Sequence, residues 1–115
     1  MSNDRNQKEE DNISGQAINL IDMTSYQEGS IVSRTIIDKD SGTITLFAFG
    51  EGQALSEHTA PFDALVYLLD GEANVTVSGT SLKLKEGDMV IMPANQPHAL
   101  RAIKKFKMML VMMKS

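Results

Sequence analysis

Residues 52–71, GQALSEHTAPFDALVYLLDG, are the stretch from which the fold can be inferred. The stretch contains His58, one of only two histidines in the chain. A proline-containing turn, 59–63, leads into an apolar strand, 64–69. The stretch ends at the Asp-Gly dipeptide 70–71, which is favoured in tight two-residue hairpins. The sequence therefore predicts a histidine followed by a turn, a buried strand and a hairpin.

The predicted hairpin has an apolar face on both arms. Side chains two residues apart share a face of a strand, and opposite residues pair across the turn. This register sets Ala64, Val66 and Leu68 opposite Ala73, Val75 and Val77. We expect this face to point into the interior of the domain.

A second unit of the same kind follows later in the chain. Gly87 precedes an apolar strand, 89–92, which ends at Pro93 because proline cannot donate to a β-ladder. A short turn then leads to His98. Each glycine-bounded unit thus delivers one histidine. The chain lacks a phosphate-binding Gly-rich loop, a Gly-x-Ser-x-Gly elbow and an HExxH helix, so other catalytic classes have no support.

The composition indicates one globular domain. The chain has 115 residues, of which 42% are hydrophobic, and its net charge of −4 argues against nucleic-acid binding. Cysteine is absent, which excludes disulfides and thiolate metal sites. Residues 1–14 are polar and are predicted to be a disordered tail, with a single domain over 15–115. Without a signal peptide or an apolar run long enough to span a bilayer, we expect a cytoplasmic protein with no membrane partner.

Short strands recur along the whole chain, and no helical periodicity is convincing. Residues 22–29 read as a turn, with a helical turn begun by Thr24 or Ser25. About ten short strands predict an antiparallel, all-β sandwich or barrel. The candidates include residues 17–21, 31–37, 43–49, 64–69, 89–92 and 106–113.

The first unit resembles the first motif of the cupin superfamily. That motif is Gly, five residues, His, one residue, His, three or four residues, Glu, six residues, Gly. Gly52, His58 and Gly71 fit this frame. Ala60 stands where the second His is expected, and Ala64 stands where the Glu is expected.

The second unit is similar to the second cupin motif, which is Gly, five residues, Pro, one residue, Gly, two residues, His, three residues, Asn. Gly87, Pro93 and His98 fall in place. Asn95 replaces the second Gly, and asparagine also tolerates the left-handed backbone conformation. Ala102 replaces the final Asn.

The resemblance, over roughly residues 30–113, implies a double-stranded β-helix (jelly-roll) cupin barrel, often a homodimer. The complete family site binds a divalent metal through three His and one Glu. This chain keeps His58 and His98, so the implied iron, manganese, nickel or zinc would be held weakly or not at all. Asp63, in a turn where strand parity is not enforced, is the better candidate for a third ligand than Glu57.

Two alanines in place of larger ligands would open a cavity lined by methyl groups. The predicted pocket is His58, His98, Ala60, Ala64, Val66 and Met92. The first hypothesis is a cupin that binds a small molecule there. The alternative is a metal-dependent enzyme of dioxygenase or isomerase type, and a third is a dimer whose barrel is merely core. Whether the protein is an enzyme stays open at this point.

Overall fold

A computed structural model describes residues 12–114. Most of the predicted tail, 1–14, therefore lies outside the described residues. No helix in the described range is long and apolar enough to cross a membrane. Nine strands follow a short 3-10 helix at Leu20–Met23: β1 (Ile31–Lys39), β2 (Gly42–Phe49), β3 (Ala54–His58), β4 (Asp63–Asp70), β5 (Glu72–Val77), β6 (Thr80–Lys85), β7 (Met89–Met92), β8 (His98–Ala102) and β9 (Phe106–Met113).

The strands form two antiparallel sheets. The five-stranded sheet has the order β1-β2-β9-β4-β7, and the four-stranded sheet has the order β3-β8-β5-β6. Strands that are consecutive in the chain repeatedly fall in different sheets, as in a double-stranded β-helix. The predicted all-β jelly-roll barrel is thus the architecture observed.

The core lies between the facing surfaces of the two sheets. The rings of Phe49 and Phe106 stack there with centroids 4.4 Å apart. A side chain of this size contributes about 1.5–3 kcal/mol when it is fully buried. The remaining core residues are small or aliphatic: Ala64, Val66, Leu68, Ala73, Val75, Leu84, Met92, Leu100, Ala102 and Met108.

The predicted hairpin between β4 and β5 is wrong. β4 pairs with β7 and β9, whereas β5 pairs with β6 and β8. The two apolar faces, with Ala64 and Val66 on one strand and Ala73 and Val75 on the other, are buried as predicted, but they belong to different sheets. Gly71 explains the difference. Its φ is +83°, and a Cβ there would overlap the carbonyl oxygen of Lys105, so the glycine permits a close crossing between sheets.

The N-terminal segment also differs from the prediction. Residues 17–21 are not a strand, and the helical turn starts at Leu20, earlier than the predicted Thr24 or Ser25. The side chain of Asn19 accepts a hydrogen bond from the Ile21 backbone N–H at 3.2 Å, which caps the 3-10 helix. The apolar residues within 17–21 suggested a strand, whereas Asn19 caps a 3-10 helix that begins at Leu20.

Lys107 holds the N-terminal segment against the outer face of the five-stranded sheet. Its buried Nζ donates to the backbone oxygens of Ile21 and Thr24, each at 2.6 Å. These carbonyls lie at the end of the 3-10 helix, where intrahelical donors run out. Lys107 is therefore a structural residue, which ties the N-terminal segment to β9.

Gly71→Ala is expected to destabilise the fold by at least about 3 kcal/mol, because the methyl group adds an overlap with the Lys105 carbonyl to the strain of a positive φ. Gly79→Ala is the matched control. Its φ is +82°, but nothing lies within 4 Å of its Cβ position, so we expect a loss of about 1 kcal/mol. Urea unfolding of both variants measures the difference. Equal losses would contradict the crossing described for Gly71.

Lys107→Met should lower the free energy of unfolding by about 1–3 kcal/mol, because two helix-end carbonyls lose their donor. Amide hydrogen exchange of residues 19–27 should accelerate in the same variant. Lys105→Met is the control, since the exposed Lys105 contributes an ammonium 4.7 Å from the Tyr26 ring centroid and no bond to the 3-10 helix carbonyls. Unchanged exchange in the Lys107 variant would contradict the role assigned to its ammonium.

Candidate functional site

The two histidines meet at one end of the four-stranded sheet. His58 is the last residue of β3, His98 is the first residue of β8, and the two are paired in register. Their Nε2 atoms are 3.1 Å apart, and their ring centroids are separated by 4.3 Å. Two residues 40 positions apart in the chain are thus in direct contact, as the sequence predicts.

A β-bulge turns His58 toward its partner. Leu55 pairs with Leu100, and the next pair is His58 with His98, so β3 has one more residue than β8 between the two pairs. Regular alternation would place His58 on the face opposite to Leu55, which packs against the core. The extra residue reverses this parity. Within the bulge, the Ser56 carbonyl lies 2.8 Å from His58 Nδ1.

His98 is held by the loop that follows β7. Its side chain is 6% exposed, and its Nδ1 lies 3.2 Å from the carbonyl oxygen of Gln96. Asn95, the residue before Gln96 in this loop, has φ +65° and donates its N–H to the Ala60 carbonyl at 2.7 Å. The asparagine that replaces the motif glycine therefore adopts the left-handed conformation expected of it and joins the two histidine-bearing loops.

The histidine pair makes one more hydrogen-bond contact than two neutral imidazoles have N–H groups to supply. Three contacts need a hydrogen: Ser56 carbonyl to His58 Nδ1, Nε2 to Nε2, and Gln96 carbonyl to His98 Nδ1. Two neutral imidazoles carry only two N–H groups between them. With both Nδ1 atoms donating to carbonyls, two Nε2 lone pairs face each other. A group that donates a hydrogen bond to the two Nε2 atoms completes the set.

Burial keeps His98 neutral. Desolvation lowers the pKa of His98, and the nearby charge of His58 lowers it further, against a raising contribution from the Gln96 carbonyl. A second positive charge on the pair is therefore opposed.

Within residues 12–114, no carboxylate joins the two histidines in a group that could hold a metal ion. Asp63 instead accepts a hydrogen bond from the Ala94 backbone N–H at 2.8 Å, and Glu57 is exposed. Among residues 12–114 there is no group of three or more His, Cys, Asp or Glu side chains that could hold a metal ion. A third protein ligand from Asp63 or Glu57 is thus not in place.

Most of the residues predicted to line the apolar pocket are buried. Ala64, Val66 and Met92 are at most 5% exposed and belong to the core, while Ala60 is half-buried at its edge. In the five-stranded sheet Ala64 lies between Met92 and Met112, whose flexible side chains flank the small alanine. The part of the predicted pocket within reach of solvent is therefore His58 and Ala60.

Sequence reasoning missed the two carbonyl groups of Ser56 and Gln96. Main-chain acceptors leave no mark on residue type, so no motif could have indicated them. The spacing is nevertheless regular, since each carbonyl lies two residues before its histidine.

Comparison with known proteins identifies the relatives of this chain. A family model described as a cupin domain matches residues 45–114. No curated protein matches the chain.

Several solved structures share the fold. A conserved protein of unknown function from Streptococcus pyogenes is 33% identical, with a TM-score of 0.84 and coverage of 88% of this chain and 89% of that one. A cupin superfamily protein from Desulfitobacterium hafniense is 26% identical, with a TM-score of 0.84 and coverage of 89% and 94%. A cupin 2 conserved barrel domain protein from Leptotrichia buccalis is 41% identical, with a TM-score of 0.82. The match covers 84% of this chain and 47% of that protein, so this chain spans about half its length.

The pH dependence of stability should report the buried ring. Because the pKa of His98 is lowered on folding, the unfolded chain takes up this proton first as the pH falls below about 6.5. Stability should therefore decrease from pH 7 toward pH 5, and the decrease should be shallower in His98→Asn. Melting temperatures of both proteins across this range measure the effect. Melting temperatures that fall equally with pH in the wild type and in His98→Asn would contradict a lowered pKa of His98.

Proposed function

This chain belongs to the cupin family, and from that premise we propose that it binds a small molecule at the end of the barrel where His58 and His98 meet. The carrying observation is the approach of the two Nε2 atoms to 3.1 Å. Two Nε2 lone pairs converge, and each ring is held from behind by a backbone carbonyl. Such a site is preorganised to accept hydrogen bonds rather than to donate them.

The chemistry of the pair indicates the class of ligand. A hydroxyl, a protonated carboxyl or an ammonium group would supply the proton that the pair lacks. Access is from the side of His58, because His98 is almost fully buried while His58 is exposed. The half-buried methyl group of Ala60 lies at this edge. An apolar part of the ligand, next to its donor group, could therefore pack against this methyl group.

A metal-dependent enzyme remains the second candidate, supported by one distance. Two nitrogens that bind the same zinc at about 2.0–2.1 Å are roughly 3.0–3.4 Å apart, close to the 3.1 Å observed between the Nε2 atoms. The donor set is short, however. Zinc enzymes use three protein ligands and non-haem iron enzymes use two histidines and a carboxylate, whereas the described residues supply two imidazoles. We therefore favour binding over metal catalysis.

A thermal-shift screen with small hydroxy acids, amino alcohols and sugar acids tests the proposal. We expect at least one class to raise the melting temperature by several degrees at millimolar concentration. The rise should be lost in His58→Ala and in His98→Ala, because each variant removes one of the two acceptors. Glu57→Ala is the control, since this exposed neighbour lies outside the pair and should leave the rise intact. A rise that persists in both histidine variants would place the ligand elsewhere.

Metal analysis separates the two candidates. Protein purified without a nickel resin should contain iron, manganese, nickel and zinc well below one equivalent. A full equivalent of one metal, lost in both histidine variants, would favour the metal-dependent enzyme instead.

A further inference from the structure

The outer face of the four-stranded sheet contains a shallow groove lined by polar and small side chains. Leu55, Val75 and Leu100 pack on the core, so the residues that flank them on β3, β5 and β8 face outward. The groove has a volume of about 290 Å³, several times the roughly 30 Å³ that a water molecule takes up in the liquid. Its outward-facing lining residues are Ala54, Ser56, Asn74, Thr76, Ala99 and Arg101.

Arg101 lies in the middle of the groove, on the strand between β3 and β5. It pairs with Ala54 on one side and with Asn74 on the other. The side chains of Ala54 and Ala99 are short, which leaves space beside the guanidinium group. Within residues 12–114 this guanidinium makes no ion pair and no hydrogen bond. Its five N–H groups are therefore available to a ligand.

The side chain of Asn74 is oriented so that it donates into the groove. Its amide oxygen accepts a hydrogen bond from Ser81 Oγ at 2.8 Å, and Ser81 is on β6, on the side of β5 away from β8. Because the oxygen already has this partner, the NH2 group is the part of the amide that remains for a ligand. The hydroxyl groups of Thr76 and Ser56 add two further donors to the lining.

None of the described residues that line the groove is acidic. Glu72 lies two residues from Asn74 on the same face of β5, but its carboxylate is held by Lys83 and Lys104 at 3.1 and 3.2 Å. The exposed Glu57, in the bulge of β3, is not among the lining residues. In a chain with a net charge of −4, this groove therefore combines one cation with neutral donors and lacks an opposing carboxylate.

We propose that the groove binds a small oxyanion, a carboxylate or a phosphate group, with Arg101 as its main contact. A guanidinium group can donate two parallel hydrogen bonds to two oxygens of such an anion. Asn74 occupies the paired position on the next strand, about 5 Å from Arg101 between Cβ atoms, so its amide can donate to the same group. The groove is on the outer face of the sheet, whereas His58 lies on the side of Leu55, which faces the core. This ligand is therefore distinct from the one proposed for the histidine pair.

Titration of the full chain with sodium phosphate and with sodium acetate tests this inference. Proton–nitrogen-15 correlation spectra report the Arg101 Nε–H and the Asn74 NH2 group directly, and sodium chloride keeps the ionic strength constant. We expect at least one of the two anions to shift both signals along a saturable curve at millimolar concentration. The anion that saturates at the lower concentration identifies the class of the ligand.

Two variants should weaken this binding, as followed on the Asn74 signal. Arg101→Gln should weaken it about tenfold or more, because a charged, two-bond contact is lost. Thr76→Val keeps the shape of the side chain but removes its hydroxyl group, and it should weaken binding about threefold. The same spectra establish that each variant is folded.

Lys85→Gln is the matched control. It removes one positive charge from the outer face of the same sheet, on β6 and outside the groove, and should change the affinity by less than about twofold. Shifts that do not saturate with either anion would overturn the inference. An equal loss of affinity in the Lys85 and Arg101 variants would also overturn it, because it would indicate general attraction to a positive surface.

Discussion

The packing of two apolar sheet faces against each other is the constraint on which the other features depend. Leu55 and Leu100 are paired and packed on the core, and this fixes β3 against β8 just before the bulge. The bulge follows directly after this pair and adds one residue to β3, which reverses the side-chain parity of the strand. His58 therefore faces His98. The contact between the imidazoles is thus a consequence of core packing.

Alternation of apolar residues predicted which faces are buried, but it could not predict which strands pair. Val66 and Val75 point into the core whether β4 pairs with β5 or lies across from it, because side-chain parity is the same in both arrangements. The Asp-Gly dipeptide at 70–71 carries the sequence signal of a hairpin turn. The structure uses Gly71 for a close crossing of the Lys105 backbone instead, and only the tertiary structure distinguishes these uses.

The site was predictable in its side chains and unpredictable in its main-chain contacts. Motif spacing indicated His58, His98 and the conformation of Asn95, since these depend on residue type. The contacts of the two Nδ1 atoms are made with backbone carbonyl groups, which every residue possesses, so the sequence could not indicate them. The surroundings of Ala64 depend likewise on strand pairing, which sets Met92 of β7 and Met112 of β9 on either side of it.

Nitrogen-15 spectra of the imidazole rings, recorded from pH 9 to pH 5 on the metal-free protein, test the proton count most directly. We expect both Nδ1 atoms to stay protonated at neutral pH, since each faces a backbone carbonyl. The pKa of His98 should lie below its usual value because of burial, and it should rise in His58→Ala because the charge of His58 also lowers it. A deprotonated Nδ1 at neutral pH, or a titration of His98 unaffected by the loss of His58, would contradict this description of the pair.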